Sequence, residues 1–569
     1  MGLLQAIEPW PHLLRSRRPS RVGHADGRDR ERGRRPAGQA ARRRRHGRRS
    51  RAGAEPAPGC RDLLAGFAAK RSAHLRRRAR CRRHGGRHRC LAAAHQRRHT
   101  GRRGRRRAPC LARRRARDLG ADPAGRHAVS QLLRILAALV VAVALLPAAA
   151  GAVDIKAVTT PLGIKAWLVQ DKSAPAVSLA FSFAGGTASD PAGQLGVTTL
   201  MATLLTDGAE TLTSQAFRQR QEDAAASVGF SASLDRLGGR LRVLSANREE
   251  GFELLRLALT QPRFDADMIE QRRAQIIASI NQSNQRPGSV AARTLMETEF
   301  AGHPYANNPD GTPDDLKKLT QQTLKLRAAA LLIRTDLVVA AVGDIDETDL
   351  ARLLDRAFGS LPVGTPPPLP PEWTPPTKAR TVVVERPVPQ STALLALPGV
   401  ARDDPDWYAA LAMNHILGGG GQQSRLFNEV REKRGLAYSA TSSLRVYKRA
   451  ALLVMSTASA NERIAEALRV VKGELARLRV DGPTEQELAD AKTYLAGALA
   501  LALDSSGAIA GLLHSMQVDG LAPDHLTKRA ALIAAVKIDD VRRLARRLLR
   551  DEALTTVVVG KPVGVAPGP

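Results

Sequence analysis

The reactive side chains of this 569-residue chain are unevenly placed. All four cysteines, Cys60, Cys81, Cys90 and Cys110, precede residue 153, so residues 153–569 hold no thiolate nucleophile, no disulfide and no Cys-x-x-Cys metal site. Histidine is the other natural source of metal or acid–base chemistry, and that part has four: His303, His415, His514 and His525. A helical zinc motif needs two neutral imidazoles one turn apart, usually with a carboxylate between them. No two of these histidines stand three or four positions apart, and none adjoins a glutamate. The spacing therefore predicts no catalytic metal. His415, on the apolar "AALAMNHILGG", is expected to be a buried, satisfied imidazole, whereas His514 and His525 are expected at the surface.

The elements around these residues follow from glycine and apolar patterning. Residues 193–210, "GQLGVTTLMATLLTDGAE", read as a turn, a half-buried helix and a glycine stop. Near residues 343 and 560, two apolar strands close on glycine, "LVVAAVGDID" and "LTTVVVGKP". Applying that offset backwards pairs "FDADMIEQRRAQIIASI" with "PTEQELADAKTYLAGAL", and "GVTTLMATLLTDG" with "YAALAMNHILGGG". Between the copies, "LPVGTPPPLPPEWTPPTKAR" is a stiff, extended proline-rich linker. In each copy extended apolar segments precede a helix, an alternating strand region follows, and then more helices and a final strand. That order predicts an α+β fold of two homologous domains, each a sheet with helices packed on one face. The expected boundaries are 153–361 and 381–563, with the linker at 362–380 and a tail at 564–569.

Charge separates this part from what precedes it. The whole chain carries a formal +34, but residues 1–152 hold 40 of the 88 Lys and Arg and 8 of the 54 Asp and Glu. The remaining 48 basic and 46 acidic side chains nearly cancel. Residues 1–128 are arginine-rich without an apolar period, and are read as a disordered extension or a start assigned too far upstream, not as a nucleic-acid arm. Residues 129–152 have the grammar of a secretory signal: Arg134, an apolar run over 135–146, and Ala150-Gly151-Ala152 before the expected cleavage. The run is too short for a comfortable membrane span. Translation is therefore expected to begin near Val129. The mature chain is expected from Val153, exported to the periplasm or the exterior, with no stable membrane span and no nucleic-acid partner. The runs "EKR" and "RRLARRLLRDE" are read as solvated helix faces.

Over residues 153–562 the chain resembles the insulinase/pitrilysin family of zinc metallopeptidases, the inverzincins. The resemblance rests on "FAGGTASDPAGQLG", "GHPYA", "VVAAVGDID" and above all "LGGGGQQSRLFNEVREKRGLAYS", in that order. It implies duplicated α+β units facing each other as halves of a clamshell. Active members carry H-x-x-E-H on the helix that corresponds to "GVTTLMATLLTDG". Here the matching positions are Thr199, Ala202 and Thr203; the third ligand, a glutamate, maps onto Ser279 and a supporting glutamate onto Arg272. A protonated threonine hydroxyl is a poor zinc ligand and alanine supplies no base. His303 matches a structural turn of the family.

The resemblance also implies one surviving element. Arg431 and Tyr438 have the spacing of the family's second-half Arg/Tyr pair, which reaches the substrate and the developing oxyanion across the clamshell. The other reading of these residues is a surface ion pair and a strand aromatic in the core. The run at 418–421, "GGGG", is read as a mobile hinge or a substrate-facing loop. Bacterial two-subunit members divide the work, one chain bearing H-x-x-E-H and its sister the Arg/Tyr pair. This chain is expected to be the second kind: a non-catalytic subunit that binds no cofactor and forms a heterodimer with an H-x-x-E-H sister holding zinc. It would present Arg431 and Tyr438 to a peptide substrate. The alternative is a peptide-binding or assembly scaffold of the cell envelope. A self-sufficient zinc peptidase would need ligands the sequence lacks.

Overall fold

The computed structural model describes residues 154–568; the arginine-rich segment and the expected signal lie outside the described residues. The first half runs β1 Lys156–Thr159, β2 Lys165–Gln170, β3 Ala176–Ala184, helix Val197–Leu204, the short hairpin β4 Gly208–Ala209 and β5 Leu212–Thr213, and helix Ser214–Asp223. Strands β6 Ser227–Ala232 and β7 Arg236–Leu244 follow, then five helices between Arg248 and Leu331, β8 Val338–Gly343 and helix Glu347–Phe358. The second half has β9 Arg380–Glu385, β10 Gln390–Pro398, helix Trp407–Asn414, β11 Ala440–Val446 and β12 Ala451–Ala460. Five helices between Ile464 and Leu548 then lead to β13 Thr555–Gly560.

The duplication is visible in the sheets. The first has the order β1-β2-β8-β3-β7-β6 and the second β11-β12-β10-β13-β9. Without β1, the two are the same arrangement. In each, the last strand lies parallel to the first of the repeat (β2 with β8, β9 with β13) and antiparallel to the second. The closing glycines have a steric reason. Gly343 has φ 140°, and a Cβ there would lie 2.1 Å from the Ala176 carbonyl oxygen. A Cβ on Gly560, at φ 153°, would lie 2.3 Å from Ser391 Oγ.

Strands β3, β8 and β13 are buried on both faces, which requires cover on both sides. One face of each sheet packs on helices of its own half, around Phe181, Phe183 and Phe252 in the first and Leu395, Met413 and Leu475 in the second. The expectation of helices on one face alone needs correction, because the other face is covered by an exchange between halves. Helix Ser506–Val518 sets Ala510 and Leu513 on Val169, Ala180, Ala340 and Val342 of the first sheet. Helix Pro287–Glu299 sets Ala291 and Leu295 against Leu394, Ala396, Val557 and Val559 of the second.

The linker is extended and tied down. Trp373 Nε1 donates to the Glu299 carbonyl oxygen at 2.9 Å, and His303 Nε2 bonds the Pro371 carbonyl oxygen at 2.8 Å. Arg380, expected at the end of the linker, already pairs with Thr555 as the first residue of β9. The tail does not hang free either: Gly568 bridges Thr381 on that strand. Among the described residues no helix is long and apolar enough to cross a membrane.

Candidate functional site

The helix Val197–Leu204 begins where sterics demand glycine. Gly196 has φ 88°, and a Cβ there would come within 2.6 Å of the Asp310 carbonyl oxygen. The helix start is held from below by a buried network. Asp190 accepts from the Gly196 amide at 2.9 Å and from Thr198 Oγ1, while Arg327 donates to Thr198 Oγ1 at 2.8 Å and lies 3.3 Å from Asp190. Burial pushes the Asp190 carboxyl up to about 6, against the hydrogen bond from Thr198 and the charge of Arg327.

Of the positions that would form the metal site, Thr199, Ala202, Thr203 and Arg272 are committed to internal structure. Thr199 Oγ1 donates to the Pro309 carbonyl oxygen at 2.6 Å, and Thr203 Oγ1 donates to that of Leu200 at 2.7 Å. Ala202 is buried in the first core. Ser279 and Arg272 lie on helix Ala266–Gln285, which packs against this one, and Ser279 is half-buried there. Arg272 forms a two-point pair with the buried Asp207, Nη2 donating at 2.8 Å. Two threonine hydroxyls turned to carbonyls, a serine hydroxyl, a methyl group and a guanidinium do not fit a zinc ion, which takes thiolate, carboxylate or neutral imidazole donors. Among the described residues no three His, Cys, Asp or Glu side chains are placed to hold a metal. The Asp207–Arg272 pair joins residues far apart in the chain, and no local spacing announced it.

The four histidines among the described residues are all engaged. His303 accepts from the Tyr305 amide at 3.1 Å, capping the turn in "HPY". His415 is buried against the Tyr494 ring, 4.5 Å between centroids, and burial lowers its basicity. His514 and His525 depart from the surface placement expected of them. His514 sits between the second half's helix and the first sheet, Nε2 2.7 Å from Ser182 Oγ. Burial and the nearby Arg236 charge push it down to about 4. His525 Nε2 meets the Tyr408 hydroxyl at 2.8 Å, with burial again lowering its basicity.

The second half treats its corresponding region differently. Helix Trp407–Asn414 continues into a π-helical turn, His415–Gly419, and a second π-helical turn spans Phe427–Glu432. Such turns are rare and often mark functional positions. Within the glycine run, Gly418 is held in place: a Cβ there would lie 2.4 Å from the Ser442 amide on β11, so glycine lets helix and strand touch. Arg431 projects from the second π-helical turn, its guanidinium 4.8 Å from the Phe427 ring centroid and 4.5 Å from that of Tyr438. Tyr438 precedes β11 and is 81% exposed. It is therefore not a strand aromatic in the core. The nearest carboxylate paired with Arg431, Glu432, is 3.7 Å away. A cation stacked on an aromatic face keeps its edge donors free for a ligand carbonyl or oxyanion, and the phenol supplies another.

Comparison with known proteins places these features in a family setting. The profile described as "Insulinase (Peptidase family M16)" matches residues 165–312, and that described as "Peptidase M16 inactive domain" matches residues 318–495. An uncharacterized zinc protease of Streptomyces coelicolor is 28% identical over 341 residues, covering 57% of this chain and 74% of that one. A non-peptidase homolog of Helicobacter pylori is also 28% identical, over 321 residues, covering 56% of this chain and 73% of its own. Among solved structures, a peptidase M16 inactive domain from Pseudomonas fluorescens superposes with a TM-score of 0.69 at 29% identity, covering 73% of this chain and 99% of that one. A Helicobacter pylori protease gives a TM-score of 0.66 at 20% identity, covering 71% and 99%.

Proposed function

Starting from a chain that belongs to the insulinase family, peptidase family M16, and is a homologue of its inactive type, we propose that it is the non-catalytic subunit of a two-chain zinc peptidase. Its sister would carry H-x-x-E-H and the zinc ion. This chain would bring Arg431 and Tyr438 to the peptide held between them. The observation that carries the reading is the contrast inside one molecule: the metal-site positions are closed onto internal partners, whereas the Tyr438 phenol stands in solvent beside the Arg431 guanidinium.

The chemistry divides cleanly between two chains. Zinc held by the sister would supply Lewis-acid chemistry and a water nucleophile there, and donors of this chain fixed opposite it would stabilise the negative charge that grows on the carbonyl oxygen. Arg431 can place two N–H groups on a peptide carbonyl, and the phenol of Tyr438 can donate one more. Export through the segment at 129–152 would put the pair in the periplasm or outside the cell.

The test is Tyr438→Phe in the reconstituted pair. Losing one oxyanion donor is expected to lower kcat by about 10²- to 10³-fold while the two chains still co-elute. Unchanged turnover in that variant contradicts the role assigned to Tyr438.

A further inference from the structure

An exposed phenol is useful as an oxyanion donor only if its backbone is held, and the strand next to it does that in an unusual way. The segment 433–439, which joins the second π-helical turn to β11, buries Leu436 and Ala437 in the second core, and Lys433 and Arg434 bond Glu429 on that turn. Around Tyr438 it is also pinned through its carbonyls. Ser459 Oγ on β12 donates to the Leu436 carbonyl oxygen at 2.5 Å, and Thr457 Oγ1 on the same strand donates to that of Ser439 at 3.1 Å. Both hydroxyls are buried, and they flank Tyr438 on either side. From the start of helix Ile464–Val480, Arg463 donates Nη1 to the Gly435 carbonyl oxygen at 3.0 Å and Nη2 to the Arg434 carbonyl oxygen at 3.1 Å. No carboxylate among the described residues pairs with Arg463, so its guanidinium is committed to this loop. The loop's own amides close back on the π-helical turn: Gly435 N to the Arg431 carbonyl at 2.8 Å and Leu436 N to that of Val430 at 2.9 Å.

We propose that Arg463, Ser459 and Thr457 are positioning residues that hold the Arg431–Tyr438 pair as a preformed unit. The proposal rests on the subunit reading given above. Arg463 and the two hydroxyls reach no substrate; they fix the backbone on both sides of Tyr438, so that the phenol keeps one position under the stacked guanidinium. Pre-organisation of this kind acts on the chemical step, because donors that must reorganise during the reaction stabilise the transition state less.

Arg463→Ala is the first variant, because the residue is exposed and its removal leaves the core intact. In the full chain alone, hydrogen exchange of the Gly435 and Leu436 amides should quicken by about tenfold as local opening becomes easier. In the reconstituted pair, kcat should fall roughly five- to tenfold with KM nearly unchanged, and in a Tyr438→Phe background Arg463→Ala should cost clearly less than it does in the wild type. Ser459→Ala, isosteric and buried, should repeat the pattern. Unchanged exchange overturns the proposal, as does a loss of activity fully additive to that of Tyr438→Phe. The exchange measurement needs no activity, so it decides the positioning claim even if the pair proves not to hydrolyse peptides.

Discussion

The helix Val197–Leu204 in the first half and the helix Trp407–Asn414 in the second occupy the same place in a shared strand order, yet they use polar groups in opposite ways. In the first, threonine hydroxyls turn back to carbonyls and a guanidinium closes on a buried aspartate. In the second, the helix runs into a π-helical turn, a second such turn carries the Arg431 guanidinium, and the segment after it holds the Tyr438 phenol in solvent. A position that no longer binds a ligand is free to be filled by internal hydrogen bonds, which stabilise the fold. A position left exposed and underpaired adds little to stability and is retained at the expense of packing. The comparison therefore separates a half whose polar groups at this place close on internal partners from a half that leaves an Arg–Tyr pair exposed.

The contrast can be broken at its most committed point. Arg272→Ala leaves Asp207 buried without its two-point partner, and a loss of about 2–4 kcal/mol in unfolding free energy is expected from chemical denaturation. A change below the error of the measurement would mean that the first half's replacement pair is not structural.

A second prediction concerns the exchange of helices between halves. The His514 ring is less basic in the folded chain than in the unfolded one, so the unfolded chain takes up the proton first as pH falls. The stability this group supports is present in full above about pH 6.5 and is lost as pH drops toward about 4. Arg236, which donates to Ser182 Oγ at 2.6 Å, adds repulsion once the imidazole is charged. The wild-type chain should therefore lose stability relative to His514→Gln across that window, with a constant difference above it. Parallel pH profiles would show that the Ser182–His514 contact is not what anchors the helix Ser506–Val518.

The smallest effect sharpens the same comparison. Thr199→Val removes one hydroxyl bond at a half-buried position and should cost about 1 kcal/mol of stability without altering hydrolysis by the reconstituted pair. Altered turnover would return a chemical role to the first half.

Much of the fold could be read from the chain because its signals are local and steric. Gly343 and Gly560 close strands where a side chain would strike a neighbouring strand, and that constraint leaves the same mark twice. The exchange of helices was not legible. An apolar helix such as Ser506–Val518 shows that it is buried, but not which sheet it buries. His514 and His525 were misplaced for the same reason, since a lone histidine carries no period. At the site, the Arg431 and Tyr438 spacing was legible, whereas the backbone that sets the stacking is held by β12 hydroxyls and by Arg463, which are contacts between distant segments. The Asp207–Arg272 pair is likewise a product of tertiary packing.

The central claim is that this chain completes a zinc peptidase without holding the zinc. The most direct measurement is chelator-sensitive peptide hydrolysis by the chain alone, by an H-x-x-E-H sister alone, and by the two mixed. The account predicts hydrolysis only in the mixture, abolished by chelator and restored by zinc. Hydrolysis by this chain alone would contradict it, and silence in the mixture would leave a peptide-binding or assembly protein in its place.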